Sequence, residues 1–334
     1  MVFGTQTCHQ IGELSEVASA RRAGTELSRK IGFDDVRSGE LAILITEAAT
    51  NIGKHAKSGH IYLRSISAED QHGIEIIATD SGPGMRNVQI NFEDGNSSTG
   101  TYGVGLGAIK RLAHYLDIYS EHEKGTVLLM ILWANPEYIA QESWQIGSMC
   151  LPIPSEDVCG DSWMTAGSDT NLTILVADGL GHGHDAAEAS LQAVKVLQKE
   201  TEAFPNRILQ SSHQQMRGGR GAAVAVAKID VHSEELRYCG VGNIAGSIFS
   251  EEKRQHLLSH NGIVGTNMQK VQEFVHKWTD ESLVIMHSDG IGTRWSLDNY
   301  TGLEKCHSSV IAAVVHRDFT RGRDDSTIVV IKRA

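Results

Sequence analysis

Two α+β domains in tandem are what the sequence predicts, and three observations predict them. The chain has 334 residues, whereas single hydrophobic cores stop growing at roughly 250–300 residues. Pro136, Pro152 and Pro154, out of five prolines in all, fall within one short polar window. Proline cannot donate to a β ladder and drives its predecessor out of the helical region, so clustered prolines mark a connector. Helical periodicity is prominent before that window, and strand-like runs dominate after it. The expected organisation is a domain at 1–135, a linker at 136–145 and a domain at 146–334.

In the first domain, residues 13–30 are rich in Ala, Arg and Glu and predict a helix. A second helix is expected over 34–54. Leu41, Leu44, Ile45, Ala48 and Ile52 recur there at helical spacing, and Asp34 or Asp35 can cap its start. The runs 60–67 and 73–79, separated by the polar A-E-D-Q-H, read as two strands. A third helix over 104–116 places Ile109, Leu112, Ala113 and Leu116 on one side. Strands at 117–121 and 126–133 complete a sheet expected to carry helices on one face.

In the second domain, strands are expected at 171–177, 222–230, 236–240, 244–249, 282–287 and 326–331. Helices at 185–200 and 305–315 should pack outside them. The first of these has Ala187, Leu191, Val194 and Leu197 as its apolar positions. Two sheets sandwiched between helices is the arrangement this implies.

Composition excludes several classes. A hydrophobic fraction of 40% and a charged fraction of 21% describe a globular chain. The net charge of −11 argues against nucleic acid, whose binding needs clustered Lys and Arg. Cys8, Cys150, Cys159, Cys239 and Cys306 are scattered with no C-x-x-C pair, so neither a zinc knuckle nor a disulfide framework is supported. The opening M-V-F-G-T-Q-T-C-H-Q lacks a signal-peptide layout, and the longest apolar stretch, 127–134, is too short to cross a bilayer. A reducing cytoplasm, with no membrane partner, is the expected setting.

Two constellations of polar residues carry chemistry. In the first, Glu47 and Asn51 lie four apart on the second predicted helix and so share a face. Asn offers a neutral oxygen to Mg²⁺, and Glu can orient a hydroxyl or water for attack on a γ-phosphate. Apolar I-E-I-I-A-T runs into Asp80-Ser81-Gly82-Pro83-Gly84, a strand ending in a glycine turn with an acid at its mouth. Such an acid can accept a hydrogen bond from the amino group of a base. Downstream, S-S-T-G-T-Y-G-V-G-L-G opens the third helix, and Gly100, Gly103, Gly105 and Gly107 can cradle phosphates with its N-terminus. No G-x-x-x-x-G-K-[ST] is present, and the glycine loop does not follow a strand, against a Rossmann turn.

In this order the motifs resemble the Bergerat ATP-binding fold of the GHKL superfamily, an α/β sandwich. Within it they are most similar to the small bacterial serine kinases of the anti-sigma/RsbT type, over about residues 5–134. The resemblance implies ATP and Mg²⁺ as cofactors. It implies Glu47 as general base, Asn51 as Mg²⁺ ligand and Asp80 as the adenine-recognising acid. It further implies Gly82 and Gly84 as the adenine-pocket loop, Gly103, Gly105 and Gly107 as the phosphate lid, and Thr126 as support for the adenine contact. Lys54 is near enough to be a phosphate ligand.

The second constellation is a set of acids at strand ends: Asp161 in V-C-G-D-S-W, Asp178 in V-A-D-G-L-G-H-G, Asp289 in H-S-D-G and Asp324 in G-R-D-D-S-T. Hard divalent cations prefer oxygen ligands, and converging carboxylates can hold two of them around a bridging water. His182 and His184 invite a zinc reading but have no third ligand at suitable spacing, and His287-Ser288-Asp289 lacks the G-x-S-x-G elbow of a hydrolase triad. Arg217 and Arg220, with Gly218, Gly219 and Gly221, form a flexible basic loop, either substrate-facing or solvated.

These acids and their neighbours resemble the PP2C-like Ser/Thr phosphatases in their compact bacterial SpoIIE/RsbX branch, an α-β-β-α sandwich, over about 145–334. The resemblance implies two Mn²⁺ or Mg²⁺ ions. Asp178 would be the catalytic, bridging ligand with the Gly179 carbonyl alongside, Asp161 would serve one ion, and Asp289 and Asp324 the other. Asp325 is the neighbour that could be mistaken for Asp324.

Together the two resemblances imply a bifunctional stress-response regulator of bacterial partner switching. Its kinase and phosphoserine/phosphothreonine phosphatase activities would act on a STAS-domain antagonist or related phosphoprotein, with a sigma factor or stressosome-like complex as further partners. The alternative is a phosphatase regulated by a non-catalytic ATP-sensing or sigma/partner-binding domain.

Overall fold

A computed structural model describes residues 1–85, 104–250, 254–269 and 271–334. The chain divides into two compact units: 1–141 with 296–314, and 142–295 with 315–334. Among the described residues, no helix is long and apolar enough to cross a membrane.

The first unit is built on a six-stranded antiparallel sheet. Its strands are β1 (Val2–Phe3), β2 (Thr7–Ile11), β3 (Gly59–Ala68), β4 (Gln71–Asp80), β5 (Tyr115–Glu121) and β6 (Gly125–Trp133). β1 and β2 both pair with β3, and the order continues β3-β4-β6-β5. Helices α1 (Leu14–Lys30) and α2 (Asp35–His55) precede β3, and α3 (Val104–Leu112) precedes β5. A capping box starts α1: the Glu16 carboxylate accepts from the backbone N–H of Glu13 at 2.8 Å. Asp34 caps α2, accepting from the Arg37 N–H at 2.7 Å.

Alternation along the strands sends Ile61, Leu63, Ile74, Ile76, Ala78, Leu128, Met130 and Leu132 to one face. There they join Leu41, Leu44, Ile45, Ala48 and Ile52 of α2 in a single core. The opposite face is also buried, which departs from the expectation of one covered face. Val127 and Leu129 are fully buried on it, as are Arg64 and Glu75, an ion pair at 2.8 Å. Residues 296–314 lie on this side. Ser309 Oγ donates to Glu75 at 2.8 Å, Lys124 Nζ donates to the Asn299 carbonyl at 2.6 Å, and Tyr300 meets Tyr119 edge-on.

The third helix is shorter than its periodicity predicts. It ends at Leu112, and β5 begins at Tyr115, so Leu116 is a strand residue. His114 causes the break: its N–H donates to the Ile131 carbonyl at 2.9 Å, and its ring accepts from the Trp133 N–H at 3.1 Å. The β6 edge outcompetes one further helical turn. The short strands β1 and β2 were not expected from the sequence.

The second unit holds two five-stranded antiparallel sheets. One runs β14-β11-β10-β9-β8, with β8 (Asp161–Gly167), β9 (Asn171–Gly179), β10 (Ala222–Asp230), β11 (Glu235–Val241) and β14 (Phe274–Lys277). The other runs β13-β12-β15-β16-β7, with β7 (Trp144–Leu151), β12 (Ala245–Phe249), β13 (Arg254–Leu257), β15 (Leu283–His287) and β16 (Ser326–Arg333). Helices α4 (His184–Lys199) and α5 (Pro205–Gln215) bury Ala193, Leu197, Ile208 and Leu209 against Leu175, Val224 and Val226 of the first sheet. Leu191, expected among the apolar positions of α4, is instead 45% exposed. A last helix, α6 (Ser308–Phe319), precedes β16. The sequence did not announce β7, β8, β13, β14 or α5.

A buried ion pair is fragile to loss of one partner, because the other charge is left uncompensated. Arg64→Met should therefore lower unfolding free energy by about 3–5 kcal/mol, and adding Glu75→Leu should restore most of it. Urea denaturation of the two variants checks this. Additive losses in the double variant would contradict it.

Candidate active sites

The second unit assembles the expected acids from both sheets. Asp161, the first residue of β8, sits directly opposite Asp178 near the end of β9. Asp289 follows β15, and Asp324 stands two residues before β16. Asp161 is almost fully buried, and Ser288 Oγ donates to its Oδ2 at 2.7 Å. Its Oδ1 is buried without a hydrogen-bond partner. Asn243 Nδ2 donates to Asp289 Oδ2 at 2.7 Å. Asn243 is not singled out by the sequence, and Ser288 figures there only in the rejected hydrolase triad. The only cue to Ser288 is its place between His287 and Asp289.

Burial and like charge raise the proton affinity of Asp161, Asp178 and Asp324. Desolvation first, then the charges of Asp161, Asp289, Asp324 and Asp325, push Asp178 up to about 8. Desolvation pushes Asp161 up to about 7 against the Ser288 and Thr327 hydroxyls, with Asp325 and Asp324 adding to the rise. Asp324 is also raised, mainly by desolvation, with Asp289 and Asp325 contributing. Such a set of oxygen donors, one of them an unpartnered buried atom, fits divalent cations. Among the described residues, no three His, Cys, Asp or Glu side chains are already drawn into a ligand shell.

Asp325 differs from Asp324 in kind. Its two carboxylate oxygens accept from the backbone N–H groups of Ile153 and Gly160, each at 2.8 Å. It staples the segment leading into β8, while Asp324 remains exposed. Gly179 leaves no room for a side chain: a Cβ there would fall 2.0 Å from the Ala186 carbonyl of α4. The loop between them is held at its rim. His182 Nδ1 contacts the Glu156 carboxylate at 2.7 Å, and Arg220 pairs with Asp185 at 2.9 Å.

In the first unit, Glu47 and Asn51 are half-buried on α2, and both face the start of α3. A Cβ on Gly105 would lie 2.7 Å from Glu47 Oε2 and 3.7 Å from Asn51 Oδ1. Gly107, two residues on, is buried, and Gly103, like Gly100, lies outside the described residues. Asp80 ends β4 directly opposite Thr126 of β6 and accepts from the Gly82 N–H at 2.8 Å. Thr126 Oγ1 shares a hydrogen bond of 2.9 Å with Ser120 Oγ, which also accepts from the Met85 N–H at 2.8 Å. Gly84 adopts φ +64°, a backbone region that favours glycine, and a Cβ there would sit 2.1 Å from the Glu121 carbonyl. The structure thus brings Glu47, Asn51 and Gly105 together, and it sets Asp80, Gly82, Gly84 and Thr126 around one strand-end turn. Lys54 is exposed near the end of α2.

Residues 168–334 match the family of stage II sporulation protein E (SpoIIE). The chain belongs to the SpoIIE family. Ahead of this SpoIIE domain, residues 12–132 match the histidine kinase-like ATPase domain. The serine/threonine-protein kinase RsbT of Bacillus subtilis is 32% identical over 128 residues, 38% of this chain and 96% of RsbT. The phosphoserine phosphatase RsbX of the same organism is 28% identical over 154 residues, 45% of this chain and 77% of RsbX. A solved chain described under the bacterial stressosome is 26% identical with a TM-score of 0.53, covering 57% of this chain and all 100% of that one. The fold of the SpoIIE domain is shared with RsbX crystallised in complex with magnesium, at 24% identity and TM-score 0.53 over 59% of this chain and 98% of that one. The PP2C phosphatase domain and regulatory fragment of SpoIIE from Bacillus subtilis align over 96% of this chain and 94% of that one, at 18% identity and TM-score 0.50.

The raised acids of the SpoIIE domain make its stability depend on pH. A carboxyl whose folded pKa lies above its unfolded value keeps its proton longer in the native state. Stability contributed by Asp161 and Asp178 is therefore full below about pH 4 and falls as pH rises toward about 8. With a chelator present, the urea midpoint should drop across this window in the wild type more than in Asp178→Asn. Millimolar Mn²⁺ should flatten the wild-type curve. Identical pH profiles for both proteins would contradict the assignment.

Proposed function

We propose that this chain is a bifunctional regulator of partner switching. Its SpoIIE domain would dephosphorylate phosphoserine or phosphothreonine on a STAS-type partner, and its ATPase-like domain would phosphorylate a Ser or Thr on the same or a related partner. The observation that carries the reading is the pairing of Asp161 with Asp178 across β8 and β9, with Asp289 and Asp324 at strand ends of the other sheet and the Oδ1 of Asp161 buried outside any hydrogen-bond geometry. Similarity to RsbX and RsbT supports the two reaction classes.

The chain's own residues divide the phosphatase work. Asp178, Asp161, Asp289 and Asp324, with the Gly179 carbonyl, would hold two Mg²⁺ or Mn²⁺ ions. Those ions supply a water of lowered pKa and neutralise phosphate charge. Ser288 orients Asp161 by donating to Oδ2, which leaves Oδ1 for an ion. Asp325, each of whose oxygens accepts from a backbone amide, would hold the frame.

In the ATPase-like domain, Glu47 would accept the proton of the attacking hydroxyl, and the Asn51 side-chain oxygen would meet Mg²⁺. Asp80, oriented by the Gly82 N–H, would accept from the adenine amino group, with Thr126 behind it. Gly103, Gly105 and Gly107 would close over the phosphates.

A second reading makes the nucleotide domain a sensor and not a catalyst. It draws on residues 296–314, which belong to the first unit although the flanking chain carries Asp289 and Asp324.

Asp178→Asn should reduce hydrolysis of a phosphoserine peptide by more than about a hundredfold, beyond the usual cost of losing a group behind a ligand. ATP binding should survive that change. Retained metal-dependent turnover would refute the phosphatase assignment. Glu47→Ala should lower phosphoryl transfer from labelled ATP to a STAS protein by about 10²–10⁴-fold, the range for a general base. If the unaltered protein transfers no label while binding ATP, the sensor reading stands instead.

A further inference from the structure

We propose that Cys150 and Cys159 form a redox modification site, joined by oxidation into a disulfide that suppresses turnover at the neighbouring carboxylate cluster. The effect on turnover rests on the phosphatase reading above, whereas formation of the bond does not.

The two residues lie nine apart in sequence, with no C-x-x-C motif to advertise them. In the fold their sulfurs are 3.8 Å apart, and the Cys150 Sγ is also 3.9 Å from the carbonyl oxygen of Asp161. Both are half-buried, in contrast to exposed Cys8 and buried Cys239. A disulfide requires a sulfur separation of about 2.05 Å, so closure needs a movement of about 1.8 Å.

That movement has one soft side. Cys150 is fixed in β7, whose ladder with β16 is continuous from Trp144 opposite Arg333 to Leu151 opposite Ser326. Cys159 lies in the irregular segment between β7 and β8. The displacement therefore falls on Cys159 and on the residue after it. Gly160 donates its N–H to Asp325 at 2.8 Å and accepts from the Gly179 N–H at 3.3 Å. It has no slack: a Cβ there would lie 2.6 Å from Asp325 Oδ2 and 2.8 Å from the Ala186 side chain. Drawing Cys159 toward β7 pulls Gly160 from Asp325 and turns Asp161, the next residue, away from Asp178.

The oxidant is a small disulfide of a low-molecular-weight thiol. Cys150 attacks first, because its own sulfur, then burial and the nearby acids, hold the Cys159 thiol well above its ordinary value. The Cys150 thiolate takes one sulfur of that disulfide, forming a mixed disulfide and expelling one small thiol. The second protein thiolate then attacks the protein sulfur of the mixed bond and expels the other. The two cysteines together lose two electrons and two protons, and the small disulfide gains them as two thiols.

The test treats the full, metal-loaded chain with excess oxidised glutathione, alkylates remaining thiols and maps unreduced peptides by mass spectrometry. A linked peptide containing Cys150 and Cys159 should appear. Turnover of a phosphoserine peptide should fall by about tenfold, at the low end of the cost of disturbing groups behind a metal ligand. Dithiothreitol should restore it. Cys150→Ser and Cys159→Ser should match untreated wild type in turnover and ignore the oxidant, with Cys159→Ala as a second variant should serine unfold the segment. The proposal fails if both thiols remain alkylatable after exposed Cys8 has reacted. It fails equally if the link forms without loss of turnover, or if Cys159→Ser is inhibited as strongly as wild type. A linked peptide in a protein that hydrolyses no phosphoserine even untreated would confirm the bond while refuting the phosphatase reading.

Discussion

Setting Asp161 directly across a strand pair from Asp178 brings two carboxylates to about 5 Å at their Cβ atoms, in poorly solvated surroundings. Two more acids approach from the other sheet, and the shared negative charge raises every proton affinity that responds to it. Nothing in a hydrophobic core rewards such crowding. The rest of the second unit can be understood as a frame that tolerates it. The continuous ladders of β9 with β10 and of β16 with β7 lock the strands whose ends carry the acids.

The frame also decides which acids respond. Adjacent Asp324 and Asp325 have the same chemistry and opposite fates. Asp325 points inward and satisfies two backbone donors that would otherwise be orphaned, so its charge is spent on holding the segment before β8. Asp324 points outward and retains its charge for a ligand. Ser288 makes a similar choice for Asp161 by occupying one of its two oxygens. Selectivity between neighbours thus comes from backbone amides and a hydroxyl, not from the carboxyl groups themselves.

What could be read beforehand follows from how local each signal is. The apolar stripe of α2 and its Asp34 cap are local, and both are visible in 34–54. The runs behind β9, β10 and β16 are nearly continuous Val, Ile, Leu and Ala, which buried strands require. β8 escaped notice because most of its residues are half-buried, so D-S-W-M-T-A-G shows no clean alternation. The helix P-N-R-I-L-Q-S-S-H-Q-Q is covered at Pro205, Ile208, Leu209 and Ser212, a helical spacing, but only Ile208 and Leu209 of these are large and apolar, so the stripe is faint in the sequence. The early end of α3 depends on His114 meeting a strand that comes later in the chain, which no window of sequence contains. Ser288, Asn243 and the closeness of Cys150 to Cys159 are likewise tertiary facts. The acids themselves stood out because aspartate beside glycine after an apolar run is unusual enough to see.

The strip 296–314 has an implication for how this gene can be taken apart. It lies late in the chain, between the two acids Asp289 and Asp324, yet it packs with Glu75, Tyr119 and Lys124 in the amino-terminal half. A break at the proline-rich stretch would not release two whole bodies. The early fragment would be stripped of its late-arriving cover and would bare the flank that holds Arg64. The late fragment would carry that cover as an orphan, its greasy underside turned to water. Recombination that shuffles such modules must therefore move both pieces together or rebuild the missing lining.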